Sequence, residues 1–269
     1  MLSALLEALD RVVREVALAE IAPRYRRLAP SEVIGKPTAD DPHDLVTAAD
    51  RLAEAALAAR LPELVPGSSV VGEEAVAADP AVLERLGGAS PVWIVDPLDG
   101  TRNFAEGHGP FGTMVALVER GALLAASIYL LEDDRMFLAE RGLGAYANGV
   151  RIKPRSASAG VLSGTLYTRF MPDEQAAALN ARGLRHRQLP GLVCAAHEYT
   201  QLATGQKDYV HFYRLLPWDH APGALILREA GGVSRHPDGR DYEVSDRRES
   251  TLLSPDEVTW RRARDELFG

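Results

Sequence analysis

A chain of 269 residues is long enough for one large α/β unit, or for two small domains sharing a core. Its 46% hydrophobic and 25% charged residues are ordinary for a globular protein, and its formal net charge of -8 disfavours a nucleic-acid scaffold, because phosphate backbones favour positive surfaces. An acidic protein can still take an anionic substrate, but only with the help of metal ions or local positive dipoles. Cys194 is the single cysteine, so no internal disulfide can form, which fits a reducing cytoplasm.

The first segment predicts an amphipathic helix rather than a secretory leader. Leu2, Leu5, Leu6, Leu9, Val12, Val13 and Val16 recur at helical spacing, with Glu7, Asp10, Arg11, Arg14 and Glu15 between them. No apolar run approaches the roughly 20 residues of a membrane span, so no membrane partner is expected. Gly35 to Asp44, with Lys36, Pro37, Asp40, Asp41 and Pro42, reads as a mobile loop. Thr47 then opens a helix whose apolar side is Leu52, Ala56, Leu57 and Leu61. Ser69 to Val71 is a short apolar run ending in Gly72-Glu73-Glu74, and Val92 to Val95 a buried strand ending at Asp96-Pro97. Thr113 to Val118, Leu123 to Leu131 and Met136 to Ala139 predict antiparallel strands, and Gly142 to Gly149 a hairpin. A soft boundary falls near residues 150–156. Beyond it come a strand over Val161 to Tyr167, a helix over Pro172 to Arg182, a strand over Leu192 to Ala196 and a helix over His197 to Ala203. A further helix runs from Asp219, as N-cap, to Ala230, ended by Gly231-Gly232. The pattern gives an α+β half over 1–152 and an α/β half over 153–269, joined as one compact unit.

Chemistry concentrates in Asp96-Pro97-Leu98-Asp99-Gly100-Thr101. Asp96 ends an apolar strand, where sheets bind ligands, and Pro97 forces a change of direction. Asp99 lies three residues on, with the Leu98 carbonyl between: hard oxygen donors suited to Mg²⁺ rather than zinc. Gly100 permits close backbone approach, and a helix starting at Thr101 would offer N–H groups to an anion. The same residues also suit a plain turn. Glu73-Glu74 could be a solvated surface pair, Asp219 a helix cap, and Asp50 the third-position partner in a capping box with Thr47.

Taken together these segments resemble the inositol monophosphatase family. Val92 to Phe104 looks like its first signature and Trp218 to Gly232 its second; Asp44 to Asp50, Gly72 to Glu74 and Ala139 to Gly149 match smaller motifs in the right order. The resemblance implies a layered αβαβα sandwich of the sugar-phosphatase type, a homodimer, and Mg²⁺-dependent, often lithium-sensitive hydrolysis of a small phosphorylated metabolite. It implies one metal on Glu73, Asp96 and the Leu98 carbonyl and a second on Asp96, Asp99 and Asp219. A weaker third would lie near Glu73 and the loop holding Lys36. Asp50 and Thr101 would activate water, with Glu74 beside them in the catalytic set, while Asp99 and the amides of Gly100 and Thr101 would contact substrate and phosphate. Two such ions can clamp both nucleophile and leaving oxygen without a histidine base.

The match departs in places. Inositol-type members carry a glutamate where this chain has Phe212, and a Gly-Ser-Ala-Ala segment where it has Val193-Cys194-Ala195-Ala196, followed by His197-Glu198. Phe212, His197 and Glu198 are therefore candidate specificity residues, and myo-inositol phosphate is not favoured. Pro222 replaces a usual alanine, which a first helical turn tolerates. The leaving group could equally be histidinol, a nucleotide carrying a 3′-phosphate, or a sugar phosphate with a second phosphate. Outside catalysis, the fold could serve a regulatory or binding role.

Overall fold

The computed structural model describes residues 2–37, 45–152 and 160–269. The N-terminal periodicity becomes α1 (Ala4–Val16), capped by the Ser3 hydroxyl on the Leu6 N–H, with Leu6, Leu9, Val12, Val13 and Val16 buried. A short antiparallel pair, β1 (Val33–Gly35) and β2 (Leu45–Thr47), leads into α2 (Ala48–Leu64). The main sheet has seven strands in sequence order: β3 (Ser69–Gly72), β4 (Val92–Asp99), β5 (Gly112–Glu119), β6 (Ala122–Leu130), β7 (Arg135–Glu140), β8 (Gly144–Ala147) and β9 (Val150–Arg151). Only the β3–β4 pair is parallel. Between these strands lie two short helices, α3 (Glu73–Ala78) and α4 (Thr101–Ala105).

The second sheet runs β11-β10-β12-β14-β13, from β10 (Ser163–Leu166), β11 (Arg187–Gln188), β12 (Tyr209–Arg214), β13 (Val233–Arg235) and β14 (Arg248–Ser254). Its helices are α5 (Asp173–Gly183), α6 (Ala195–Ala203), α7 (Pro217–Glu229) and α8 (Glu257–Phe268).

Strand alternation assigns the layers. On β4, Trp93 and Val95 face α1 and α2, burying against Leu9, Val13, Ala53 and Leu57. Ile94 faces the opposite side, where α6 and α7 pack with Tyr199, Leu202, Leu225 and Ile226. Val210 and Leu253 of the second sheet close that middle layer, while Tyr209 and Leu252 point outward to α5 and α8, against Leu179, Trp260 and Leu267. The result is the expected αβαβα sandwich, with α6 and α7 held between two sheets. Among the described residues no helix is long and apolar enough to cross a membrane.

Several local expectations are corrected. The strand expected to stop at Asp96 continues to Asp99 through a bulge, since Asp96 pairs with Met114 and Asp99 with Gly112. Leu192 to Ala196 is not a strand. Val193 sits at φ 53, outside extended space, and the N–H groups of Leu192 and Val193 donate to the Tyr167 hydroxyl instead of to a neighbouring strand. The helix expected from Asp219 begins at Pro217, so Asp219 lies in its first turn and Leu216 is the N-cap. Pro222 is then the sixth helical residue, beyond the first turn that was expected to excuse it. The loop expected over Gly35 to Asp44 and the boundary near residues 150–156 fall partly outside the described residues.

Candidate active site

The parallel pairing of β3 with β4 ends with Gly72 opposite Val95, so the next residues, Glu73 and Asp96, lie side by side just past it. Gly72 is fixed by crowding: a Cβ there would lie 2.3 Å from the Glu54 carboxyl carbon. Glu54, which sequence reasoning missed, accepts hydrogen bonds at 2.8 Å from the N–H groups of Glu74 and Ala75 and so caps α3. Its spacing was the available signal, since it falls one helical turn after Asp50 on the buried side of α2.

The bulge after Asp96 sets the rest of the wall. The Leu98 N–H donates to Asp96 Oδ1 at 3.0 Å, and the Thr113 hydroxyl donates to the Pro97 carbonyl at 2.9 Å. Gly100 has φ 84, and a Cβ on it would meet the Pro110 carbonyl oxygen at 2.8 Å, so the turn into α4 requires glycine. The α4 helix is only five residues long, so its contribution to anion binding is its first N–H groups rather than a long dipole.

Asp50 serves both readings weighed from sequence. Its Oδ2 accepts from the Thr47 N–H at 2.8 Å and the Thr47 hydroxyl at 2.5 Å, completing the capping box. Its Oδ1 accepts from the Thr101 hydroxyl at 2.9 Å. That hydroxyl is also 2.9 Å from the Leu98 carbonyl, so one proton has two acceptors. Burial pushes Asp50 up to about 6, offset by the Thr47 bonds and reinforced by the charge of Glu74.

Asp99 is held by the start of α6. The Cys194 thiol and the Ala196 N–H both donate to its Oδ2, at 2.9 and 2.7 Å. Burial raises the Asp99 carboxyl nonetheless, and raises the Cys194 thiol. Cys194 thus has a positioning role that composition did not reveal. Asp219 comes in from α7, on the cleft shared with Glu73, Asp96, Leu98, Asp99, Gly100 and Thr101, a cavity of about 270 Å³.

The electrostatics are lopsided. Asp96, 2% exposed, is raised well above the carboxylate range by burial and then by the charges of Glu73, Asp99 and Asp219. Burial pushes Glu73 up to about 8, opposed by Lys36 and reinforced by Asp219 and Glu74. Lys36 donates to Glu73 and to Glu74 at 2.7 Å each. Burial disfavours the Lys36 charge, but the two carboxylates outweigh it and hold the ammonium protonated. Buried carboxylates at this density need more positive charge, and their oxygens are the hard donors that Mg²⁺ or Mn²⁺ takes. Among the described residues, however, no group of three or more Asp, Glu, His or Cys side chains is placed to hold a metal ion as the side chains stand. The donor set fits a divalent ion by its chemistry and its charge.

The expected specificity residues separate. Phe212 lies on the cleft wall, stacked on Tyr167 at 5.0 Å between ring centroids. His197 packs near the Phe111 backbone and the charges of Asp133 and Glu132, away from the cleft, and burial lowers its pKa. Glu198 is corrected outright: it is 0% exposed, ion-paired with Lys207 and accepting from the Tyr167 hydroxyl at 2.8 Å. The sequence had offered Glu198 as a candidate specificity residue. The cation that draws Glu198 inward lies nine residues on, beyond the end of α6.

Comparison with known proteins agrees with the geometry. The model of the inositol monophosphatase family matches residues 1–264. The chain is 34% identical over 210 residues, 74% of its length and 76% of the relative's, to a SuhB protein of Neisseria meningitidis serogroup B described as a Nus factor. It is 30% identical over 211 residues, 76% of its length and 77% of the relative's, to the inositol-1-monophosphatase of Bacillus subtilis. Inositol monophosphatase-II of Staphylococcus aureus superposes with a TM-score of 0.80 at 25% identity, covering 98% of this chain and 94% of that one. A five-layer sandwich, a carboxylate-lined cleft at the strand ends and a family match over nearly the whole length place this chain in the inositol monophosphatase family of phosphoric monoester hydrolases.

Proposed function

We propose that this protein hydrolyses a small phosphate monoester with Mg²⁺, two or three ions being held by Glu73, Asp96, the Leu98 carbonyl, Asp99 and Asp219. The observation that carries this reading is the charge imbalance of the cleft: Asp96 is buried among Glu73, Asp99 and Asp219 and raised by all three. When bound, divalent ions would supply the missing positive charge and would lower the pKa of a coordinated water below its bulk value of about 15.7. The chain's own groups do the rest. Asp50 draws the Thr101 hydroxyl proton toward Oδ1, leaving the Thr101 oxygen turned to accept from water. Gly100 and Thr101 offer N–H groups to phosphate oxygens. Cys194 and Ala196 fix Asp99, and Lys36 fixes Glu73 and Glu74, so the wall is built before substrate arrives.

Phe212, stacked on Tyr167, stands where inositol-type members carry a glutamate, so the cleft lacks that carboxylate acceptor for inositol hydroxyls. This favours a sugar, polyol or related phosphate other than myo-inositol phosphate. The expected setting is a cytoplasmic homodimer without nucleic-acid or membrane partners. A phosphomonoester panel assayed with and without Mg²⁺ tests the proposal: hydrolysis should require the ion, vanish in Asp96→Asn and fall about 100-fold in Thr101→Val. Turnover of any ester at wild-type rate by Asp96→Asn would sink it. A second reading, as a binding or regulatory protein, is favoured by the similarity to a Nus factor alone. It would gain if Asp96→Asn kept the cellular phenotype of wild type.

A further inference from the structure

Beyond the carboxylates the same cleft changes sign. Arg169 and Arg214 line it together with Glu73, Asp96 and Asp219. Both guanidinium groups lie over one ring, that of Phe170, with Cζ at 5.2 Å and 4.3 Å from its centroid. A guanidinium stacked on an aromatic face keeps its N–H edges in plane and outward, where they can form a paired contact with a carboxylate or phosphate. Arg214 is also held from behind. The β12–β14 register shifts between Phe212 and Arg214, and the Arg214 carbonyl accepts from Nε2 of His220, itself 2% exposed, at 2.9 Å. The adjoining hollow, about 170 Å³, is walled by Tyr167, Phe170, Phe212 and Arg214 and continues into the carboxylate end through Asp99, Val193 and Asp219.

We infer that Arg169 and Arg214, braced on Phe170, form a subsite for a second anionic group, so that the substrate is a small phosphomonoester carrying a carboxylate or another phosphate. The inference rests on the phosphatase reading for which phosphate is cleaved, but the subsite stands on its own contacts. A doubly anionic ester bridges both ends of the cleft, with its cleaved phosphate at the carboxylate-lined end and its second anionic group at the end lined by Arg169 and Arg214. The apolar faces of Tyr167 and Phe212 suit the carbon skeleton between the two charges.

The test uses matched esters: glycerol phosphate against phosphoglycerate, which differ by a carboxylate, and a hexose monophosphate against the corresponding bisphosphate. Wild type should favour the doubly anionic member of each pair in kcat/KM at least tenfold. Arg214→Met should reduce that ratio tenfold or more, Arg169→Met should reduce it as well, and Arg214→Lys should fall between. Calorimetric binding of phosphoglycerate and of glycerol phosphate to Thr101→Val protein with Mg²⁺ gives a second reading without turnover. Equal kcat/KM for both members, or a ratio unmoved in both methionine variants, would overturn the subsite while leaving the phosphatase intact. If no ester is hydrolysed the phosphatase reading fails, and the subsite is then judged by the calorimetry: selective loss of phosphoglycerate binding in Arg214→Met upholds it, and equal binding rejects it.

Discussion

Replacing Glu73 by glutamine should stabilise this protein when divalent ions are chelated. Glu73 is pushed up to about 8, from an ordinary value of 4.5. At pH 7 that difference makes the folded state about 3 kcal/mol less stable than it would be with an unperturbed carboxyl. The attraction of Lys36 is already contained in that shift, the glutamine keeps an acceptor for Lys36, and Glu74 still holds Lys36 at 2.7 Å. The net gain is therefore about 3 kcal/mol at most, or roughly 5 °C in Tm. The sign with pH follows from linkage. A carboxyl raised on folding binds more protons in the native than in the unfolded state, so the stability it confers is full below 4.5 and is lost as pH rises through 8. Asp50, at about 6, acts in the same direction. Urea unfolding of wild type and Glu73→Gln in chelator, at several values between pH 5 and 8.5, reads this directly. The two curves should approach each other toward pH 5 and separate increasingly in favour of the variant as pH rises to 8. Added Mg²⁺ should stabilise wild type strongly and the variant little. A variant less stable than wild type at pH 8 in chelator would refute the reasoning.

Other consequences lie outside the metal cluster. Val193→Gly removes a β-branched residue from φ 53, where an L side chain costs about 1–2 kcal/mol, and should gain about 0.5–1 kcal/mol after the entropy of glycine is counted; a shift in the urea midpoint checks it. Glu198→Gln strands the buried Lys207 ammonium, which is only 4% exposed, and should cost about 3 kcal/mol, much of it recovered when Lys207→Met is added; a double-mutant cycle by chemical denaturation measures the recovery. His211 is fully buried, with neither ring nitrogen bonded among the described residues, and burial lowers it to about 3. Because the unfolded state then binds the proton and the native state does not, stability should fall by about 2 kcal/mol between pH 7 and pH 5, and His211→Leu should abolish that portion of the slope.

The parts of this molecule that were legible in the sequence are those governed by short-range pattern. The helical spacing of Leu6, Leu9, Val13 and Val16, the alternation that sends Trp93 and Ile94 to opposite faces, and the capping box of Thr47 and Asp50 all act within one or two turns. The carboxylate wall was legible as a set of residues because each member ends an apolar segment. What escaped depends on partners distant along the chain. Leu192 to Ala196 has a strand's composition, but Tyr167, about 25 residues earlier, takes the N–H groups that a ladder would need. Glu198 looked like a cleft residue until Lys207 was placed beneath it. Asp219 looked like a cap because Pro217 was not recognised as the first helical residue, a position that favours proline. The bulge that turns Asp99 toward Asp96 arises from the pairing of two strands and has no signature in either alone.

The central claim is that Glu73, Asp96, Leu98, Asp99 and Asp219 together hold the divalent ions of a phosphatase. Crystals of the protein grown with Mn²⁺, measured at an anomalous wavelength, locate such ions without reference to any substrate. Anomalous peaks are expected within ligand distance of Asp96 and of at least two other members of that set, and none in Asp96→Asn crystals. Peaks elsewhere, together with phosphate release that persists in chelator, would contradict it.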